Sequence, residues 1–313
     1  MSCMAAIRFG LIGRYLRPHR RTVLLGVAAL VVVNLLSVSI PLLVRGVIDD
    51  LQDGFTFNDV LREALLIIGL ATLMGGVRLL SRLLVFGVGR QVEADLKQQI
   101  FQHMLRQEPG WVQSTGSGEV ISRATSDVEN VRRLLGFAVL SLTNTALAYA
   151  LTLPAMLAID PWLSLAAVGL YPLMLAVVRL FGGRMMRQQR RQQESLAQLS
   201  DLIQEDTLFP LLEGISSVSL LLLLALGSGQ LETGRLSIGD LVALILFVER
   251  LVFPTALLGF TLNSFQTGQV SLERVEQLLQ RTPLIQSPPQ PQPITPPAPG
   301  HGAALEARDL TIR

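Results

Sequence analysis

Long apolar runs separated by polar loops are the dominant pattern of this chain. The clearest run is Thr22 to Val44, twenty-three residues without a charged side chain, which lies between Arg21 and Arg45. At about 1.5 Å per helical residue, such a run crosses a hydrocarbon core of about 30 Å. The runs together predict an all-α membrane protein with six transmembrane helices that extend into the cytoplasm. The predicted spans lie near residues 22–44, 61–83, 134–159, 161–180, 207–231 and 238–265.

Composition agrees with a membrane protein. Half of the 313 residues are hydrophobic, 16% are charged, and the mean hydropathy is +0.47. These values fit neither a solvated globular surface nor a disordered chain, and no nucleic-acid partner is expected. Cys3 is the only cysteine, and the three histidines are scattered, so neither a disulfide framework nor a metal site is expected.

The charge of the loops predicts the orientation. Arg179 to Arg191 contains five arginines, and Arg90 to Arg133 contains five arginines and one lysine, whereas Arg45 to Glu63 carries two arginines against five acids. Because positively charged loops stay in the cytoplasm, the chain is predicted to be a multi-pass protein of the inner (plasma) membrane with both termini cytoplasmic. Residues 1–21 have apolar positions on one helical face, which predicts an elbow helix lying on the inner membrane surface.

Residues 88–133 form a predicted cytoplasmic excursion that is rich in helix formers. At its turn, Gly116 and Gly118 punctuate the chain, and Ser117 is a candidate cap for a short helix that starts near Glu119. Two interpretations remain open. The short helix is a docking surface at the tip of two long helices, or the whole excursion is a solvated hairpin whose glycines and serines only turn the chain.

Composition changes sharply after the sixth span. Ser271 to Arg281 predicts a polar helix that closes the transmembrane domain at residues 22–281. Residues 282–302 contain eight prolines and predict an extended linker. Residues 303–313 alternate apolar and polar side chains, which predicts the first strand of a further domain.

Three stretches resemble the membrane domain of type I ABC exporters, in the group of bacterial multidrug and lipid exporters. They are Gly116 to Gly136 (GSGEVISRATSDVENVRRLLG), Gly234 to Pro254 (GRLSIGDLVALILFVERLVFP) and Ser271 to Leu279 (SLERVEQLL). The resemblance implies the permease part of an ATP-driven exporter that moves lipids or amphipathic compounds out of the cytoplasm or the inner leaflet. It also implies three partners: membrane lipid, an ATP-binding domain, and a second copy of the subunit or a homologous half.

The resemblance also implies a coupling helix, the element that receives movements of the ATP-binding domain. Its counterpart here is the segment 117–127, in which Ser117, Gly118, Glu119, Arg123 and Asp127 are the candidate docking residues. Arg123 and Asp127 are four residues apart, so they could instead pair on one helix face and stabilise it locally.

Two departures from the family pattern qualify this resemblance. The phosphate-binding loop GxxxxGK[ST] needs a lysine, and Lys97, the only lysine, is followed by Gln98. The chain alone is therefore not expected to bind or hydrolyse ATP, and ATP and magnesium are expected only in an ATP-binding domain that this chain lacks. The loop from Arg179 to Asp206 is also shorter than in the family, and it is expected to lack the second coupling helix.

Charged residues occur within the predicted spans. Glu249 and Arg250 fall in the middle of the sixth span, where an unpaired charge costs at least about 2.5 kcal/mol. Both side chains are therefore expected to face protein or a water-filled cavity, either as cavity lining or a gate, or as a structural ion pair with a neighbouring helix. Arg78 and Arg82, at the inner end of the second span, are expected to extend to the lipid headgroups.

Two other functions compete with the exporter. An ion-coupled secondary transporter would use intramembrane carboxylates and interrupted helices, but Glu249 is the only deep acid. A truncated membrane protein that does not transport is the other alternative. It is suggested by the absence of the lysine of the phosphate-binding loop GxxxxGK[ST].

Overall fold

The computed structural model describes residues 9–176, apart from 52, 53, 55, 109 and 112–115, and residues 201–283. All of the elements in these ranges are helices. They are α1 (Phe9–Leu16), α2 (Arg20–Asp50), α3 (Phe57–Met104), α4 (Ser117–Ile159), α5 (Pro161–Val168), α6 (Asp201–Glu232) and α7 (Ile238–Leu279).

Four of these helices are long and apolar enough to cross a membrane: α2, α3, α4 and α7, with 31, 48, 43 and 42 residues. Two shorter apolar helices, Pro161–Ala176 and Ser216–Glu232, lie where the fourth and fifth spans are predicted. The all-α membrane fold is thus confirmed, and the count of six spans stays a prediction.

Several predicted segments lie outside the described residues. These are residues 1–8 of the elbow helix, residues 177–200 of the shortened loop, and residues 284–313, which hold most of the predicted linker and the whole predicted strand. Beside the loop, α6 begins at Asp201 and continues without a break to Glu232. The helix of the fifth span therefore starts earlier than the apolar run at Thr207.

The main difference from the sequence-based prediction is α4. The predicted short helix near Glu119 is the first turn of one continuous helix that ends at Ile159. Gly116 precedes it with a φ of 84°, a left-handed backbone conformation that favours glycine. Ser117 is therefore the first helical residue and not the cap. The helix continues because each residue added to an existing helix gains a hydrogen bond without a new nucleation cost.

Helix α4 also contains two π-helical turns, Arg123–Asp127 and Leu134–Ala138. Such turns interrupt the ordinary α pattern and often lie at functional positions. The first of them coincides with the second half of the predicted coupling helix.

The C-terminal halves of α3 and α7 and the N-terminal half of α4 share one apolar core, on which α1 packs through Ile12. Its buried side chains include Val88, Leu96, Val128, Leu134 and Val275. Glycines let the backbones approach each other closely, as is common between membrane helices. A Cβ atom at Gly89 would lie 3.0 Å from the carbonyl oxygen of Arg132, and one at Gly268 would lie 2.5 Å from Leu134 Cβ.

A second apolar core joins α4, α5, α6 and α7 in the other half of the bundle. Its fully buried side chains include Met156, Leu163, Leu223 and Phe247. The segment of α3 that carries the predicted second span is, by contrast, almost entirely exposed within this single chain, with 6% of its most apolar window buried. Lipid or another subunit is therefore the expected neighbour of that surface.

The C-terminal end of α2 and the N-terminal end of α7 meet at a carboxylate. Asp49, in the last turn of α2, accepts hydrogen bonds from the Ser237 hydroxyl (2.9 Å) and from the backbone amide of Gly239 (3.0 Å). Arg45 forms an ion pair with Asp240 at 2.7 Å. The negative charge of Asp49 thus lies at the N-terminus of α7, where the helix dipole and unpaired amides favour an anion. Gly239 is required there because a Cβ atom would overlap the backbone oxygen of Arg45.

Asp49→Ala is expected to lower the free energy of unfolding by about 2 kcal/mol, because two donors at the start of α7 lose their shared acceptor. Asp50→Ala is the matched control, since Asp50 is the next residue along α2 and is exposed. The control should change the free energy of unfolding by less than about 0.5 kcal/mol. Denaturant titration of the purified chain in lipid nanodiscs measures both. Equal losses from the two substitutions would contradict a specific role for Asp49.

Candidate functional site

The segment Ser117–Asp127, called here the tip segment, is bonded to the C-terminal part of α7. Asp127 is 5% exposed, and its carboxylate accepts a hydrogen bond of 2.7 Å from the Ser271 hydroxyl. Arg274 adds a cation 3.8 Å from the same oxygen atom. The Asn130 side chain, one turn further along α4, donates to the Ser271 hydroxyl at 3.0 Å. The end of the tip segment is therefore fixed to α7.

Arg123 contacts both its own helix and α7. Its guanidinium forms an ion pair with Glu119, four residues earlier, and donates a hydrogen bond of 3.3 Å to the backbone oxygen of Arg274. The i,i+4 pair observed here is therefore Glu119 with Arg123, whereas Asp127 faces α7. Because Arg123 pairs with Glu119 on the same helix face, it does not pair with Asp127. The Asp127 carboxylate instead accepts the hydrogen bond from Ser271.

The five candidate docking residues fall into two groups. Ser117, Gly118 and Glu119 are exposed, which leaves them accessible to a partner. Arg123 and Asp127 are directed to α7 instead. The sequence pattern placed all five on one segment, but it did not indicate which of them contact α7.

The elbow helix α1 contacts the same end of α7. The Tyr15 hydroxyl donates a hydrogen bond of 2.7 Å to Glu276, and Arg14 lies 3.7 Å from the same carboxylate oxygen. Burial, together with the hydrogen bond to Glu276, raises the pKa of the Tyr15 phenol above its ordinary value. The phenol therefore stays a hydrogen-bond donor at neutral pH. Sequence reasoning did not identify Glu276, because nothing in its local pattern separates it from the other charges of a polar helix.

Within the bundle, Arg250 links three helices. Its guanidinium donates to the side-chain oxygen of Asn34 (2.8 Å) and to the backbone oxygen of Asn34 (3.2 Å), both on α2. The Asn34 amide in turn donates to the side chain of Asn144 on α4 at 3.1 Å. The partners of Arg250 in the described chain are thus amide and carbonyl oxygens and not a carboxylate. Asn34 is the one asparagine of the first apolar run, which is the signal that sequence reasoning missed.

A second arginine lies beside this network. Arg78 of α3 donates to the sulfur of Met74 (3.7 Å), which also accepts from the Ser37 hydroxyl of α2 (2.9 Å). Arg78 thus lies next to α2 through Met74 and Ser37, and Arg250 lies next to α2 through Asn34. One guanidinium nitrogen of Arg250 is buried without a hydrogen-bond partner among the described residues. Two cations therefore flank one turn of α2, and this arrangement can bind a negatively charged group.

Glu249 has different surroundings from Arg250. Its side chain is exposed on the surface of this single chain, whereas Arg250 is partly buried. The two neighbours thus face different sides of α7, as consecutive positions on a helix do. A joint gate formed by both residues stays a hypothesis, and the described contacts involve Arg250 alone.

The fold and these sites define a multi-pass membrane protein whose spans continue as long helices to a polar tip. The chain belongs to the family of ABC transporter transmembrane regions, because the model of that family matches residues 23–207. This membership confirms the family resemblance predicted from the sequence.

Curated relatives agree with the family assignment. The chain is 22% identical to the multidrug resistance-like ATP-binding protein MdlA of Escherichia coli, over 91% of this chain and 55% of that protein. It is also 22% identical to the probable multidrug resistance ABC transporter ATP-binding/permease protein YheI of Bacillus subtilis, over 91% and 56%. An ATP-dependent lipid A-core flippase of Shewanella denitrificans is 32% identical over 46% of this chain and 24% of its own length. The chain spans about half the length of the first two relatives.

Proposed function

We propose that this chain is the membrane-spanning permease part of an ATP-driven ABC exporter. Family membership supports this proposal, as do the names of the relatives, which describe multidrug resistance proteins and a lipid A-core flippase. The observation that carries it is the bonding of the tip segment to α7, through Asp127 and Ser271. A helix that begins at an exposed tip and ends in the membrane is suited to transmit force.

The geometry supports a mechanical role for α4. Its 43 residues form one helix, so a force on the exposed Ser117, Gly118 and Glu119 acts directly on the membrane-spanning part. The hydrogen bond between Asp127 and Ser271 makes α7 move with α4. Movement at the tip thus reaches α4 and α7, two of the three helices that hold the Arg250 network.

The proposed partners complete the exporter. An ATP-binding domain would bind ATP and magnesium and would dock at the exposed residues of the tip segment. A second copy of the subunit, or a homologous half, would cover the exposed apolar surface of α3. The proposed location is the inner (plasma) membrane with both termini cytoplasmic, as the arginine-rich loops favour. The proposed domain limits are 1–21, 22–281, 282–302 and 303–313.

The intramembrane arginines favour one class of substrate. Apolar helix faces accommodate acyl chains or aromatic groups, whereas Arg78 and Arg250 provide two positive charges beside α2. A lipid or amphipathic compound with an anionic group has both chemistries. We therefore include such anionic amphiphiles in the proposed substrate class.

The proposal is tested by reconstitution. The chain is combined in proteoliposomes with the ATP-binding half of the E. coli relative, and the ATP-dependent movement of a fluorescent phospholipid between leaflets is measured. Transport is expected only when both parts and ATP are present. ATP hydrolysis by the chain alone would contradict the proposal. Binding of the two parts without any transport would favour the non-transporting alternative.

Arg250→Gln is expected to weaken the binding of an anionic amphiphile about 10-fold, because a hydrogen bond to a charged group contributes about 1.5 kcal/mol. The measurement is the fluorescence anisotropy of labelled lysophosphatidic acid in detergent micelles, with labelled lysophosphatidylcholine as the zwitterionic reference. Glu249→Gln is the matched control: it changes the charge of the neighbouring, exposed residue and should leave the affinity unchanged. Equal effects on the two lipids would show that Arg250 does not recognise the anionic group.

A further inference from the structure

An open cavity of about 610 Å³ lies between the elbow helix α1 and the start of α2. Three arginines line it: Arg14 on α1, Arg17 in the turn after α1, and Arg20 at the start of α2. All three side chains are exposed. Three cations that converge on one concave surface make this cavity attractive to an anion, and the attraction extends over about one Debye length, roughly 8 to 10 Å.

The rest of the cavity wall is apolar or small. Val23 and Leu24 line it on the α2 side, and the Leu24 side chain is 67% exposed. Gly10 and Gly13 line it on the α1 side, and a Cβ atom at either glycine would contact no neighbouring atom. The surface thus places a cationic rim directly beside an exposed apolar face at the first residues of a membrane-spanning helix.

The positive charges are only partly compensated. Arg14 lies 3.7 Å from Glu276, which also accepts the hydrogen bond of Tyr15. In the part of the chain that the structure describes, no carboxylate pairs with Arg17 or Arg20. These two guanidiniums keep their donors for a ligand, and a phosphate group accepts from arginine with good geometry.

We propose that this elbow cavity binds an anionic phospholipid of the adjacent leaflet, with its phosphate between Arg17 and Arg20 and its acyl chains along Val23 and Leu24. The lipid is a bound component of the fold and not the transported substrate, since Arg20 lies about 21 Å along α2 from Asn34, the α2 member of the Arg250 network. Its binding does not depend on ATP or on the proposed transport activity.

The apolar half of the cavity distinguishes a lipid from a soluble phosphate. Leu25 is 62% exposed next to Leu24, so the apolar surface continues from the cavity along α2 toward the bilayer. A soluble phosphate would contact the arginines and leave this surface unused. A phospholipid covers both parts, and each arginine near a membrane surface contributes to its attraction.

Lipid titration of the purified chain tests the site. Native mass spectrometry in detergent counts bound phosphatidylglycerol and, in a parallel titration, bound phosphatidylcholine. The double substitution Arg17→Gln with Arg20→Gln is expected to weaken phosphatidylglycerol binding about 30-fold. Each arginine near an anionic lipid surface contributes about 1 kcal/mol, and the loss of about 2 kcal/mol corresponds to this factor. Arg21→Gln is the control: it removes one charge next to Arg20, from an exposed residue that does not line the cavity, and should weaken binding by no more than about fivefold.

A second variant acts through shape and not through charge. Gly13→Leu places a side chain into the cavity without an initial clash, so the chain should fold normally while phosphatidylglycerol binding falls. Equal losses from Arg21→Gln and the double substitution would overturn the proposal. Equal binding of phosphatidylcholine would do so as well. Displacement of the lipid by millimolar glycerol phosphate would show a soluble-phosphate site in place of a lipid site.

Discussion

Gly268→Leu is expected to destabilise the bundle by about 3 kcal/mol, because the new side chain overpacks a close contact between α4 and α7. Even the first carbon atom of the side chain would lie 2.5 Å from Leu134 Cβ and 3.0 Å from the backbone oxygen of Asn130. Neither atom is the mobile end of a flexible side chain, so the helices themselves would have to separate. Denaturant titration in nanodiscs, followed by tryptophan fluorescence, measures the loss.

Gly87→Leu is the matched control for this substitution. Gly87 is also in the interior of a long helix, but a Cβ atom there would contact no neighbouring atom. Because leucine has a higher helix propensity than glycine, the control should be neutral or should stabilise the chain by up to about 1 kcal/mol. If Gly268→Leu were equally well tolerated, the close approach of α4 and α7 would be wrong.

Asp127→Ala is expected to lower the free energy of unfolding by about 2 kcal/mol and to reduce ATP-driven transport about 10-fold in the reconstituted system. The stability loss follows from removing a buried acceptor of the Ser271 hydroxyl. The transport loss follows from the proposed function, since the tip segment would no longer move α7. Asp127→Asn keeps an acceptor oxygen and should retain more of both properties.

A double-mutant cycle separates these two effects. If Asp127 and Ser271 act through their shared hydrogen bond, Ser271→Ala combined with Asp127→Ala should cost less than the sum of the single substitutions, with a coupling of about 1 kcal/mol. Additive losses would contradict a direct interaction. If the cycle shows the coupling of about 1 kcal/mol in stability but the variants transport normally, the hydrogen bond between Asp127 and Ser271 is supported. Only its proposed mechanical role is then contradicted.

The sequence predicted features that depend on residues adjacent along the chain, above all the positions of the membrane helices. The uncharged run Thr22 to Val44, for example, indicated a membrane helix, and α2 (Arg20–Asp50) covers this run. This prediction needs no family motif, because the length of an apolar run and the thickness of a bilayer suffice. Helix ends were less predictable. The polar residues after Gly116 resemble a separate short helix, but they continue directly into α4.

Contacts between distant parts of the chain could not be predicted from local patterns. Asp127 with Ser271, Arg250 with Asn34, and Tyr15 with Glu276 are each separated by more than one hundred residues. Their geometry depends on how the helices cross, which a single sequence does not encode locally. Arg250 contacts polar groups of Asn34, whereas the side chain of Glu249 is exposed, so the expected role of this pair stays a prediction. From the sequence, a carboxylate was an equally reasonable partner for Arg250.

The two π-helical turns of α4 have a consequence for how the tip is aimed. Each such turn contains one more residue than an α-helical turn, and one residue corresponds to about 100° of rotation around the helix axis. The turns at Arg123–Asp127 and Leu134–Ala138 therefore determine the angle, measured around the axis of α4, between the side chains of the tip segment and those of the membrane-spanning part. Related chains could redirect the tip by gaining or losing one such turn, while every membrane-facing side chain keeps its orientation.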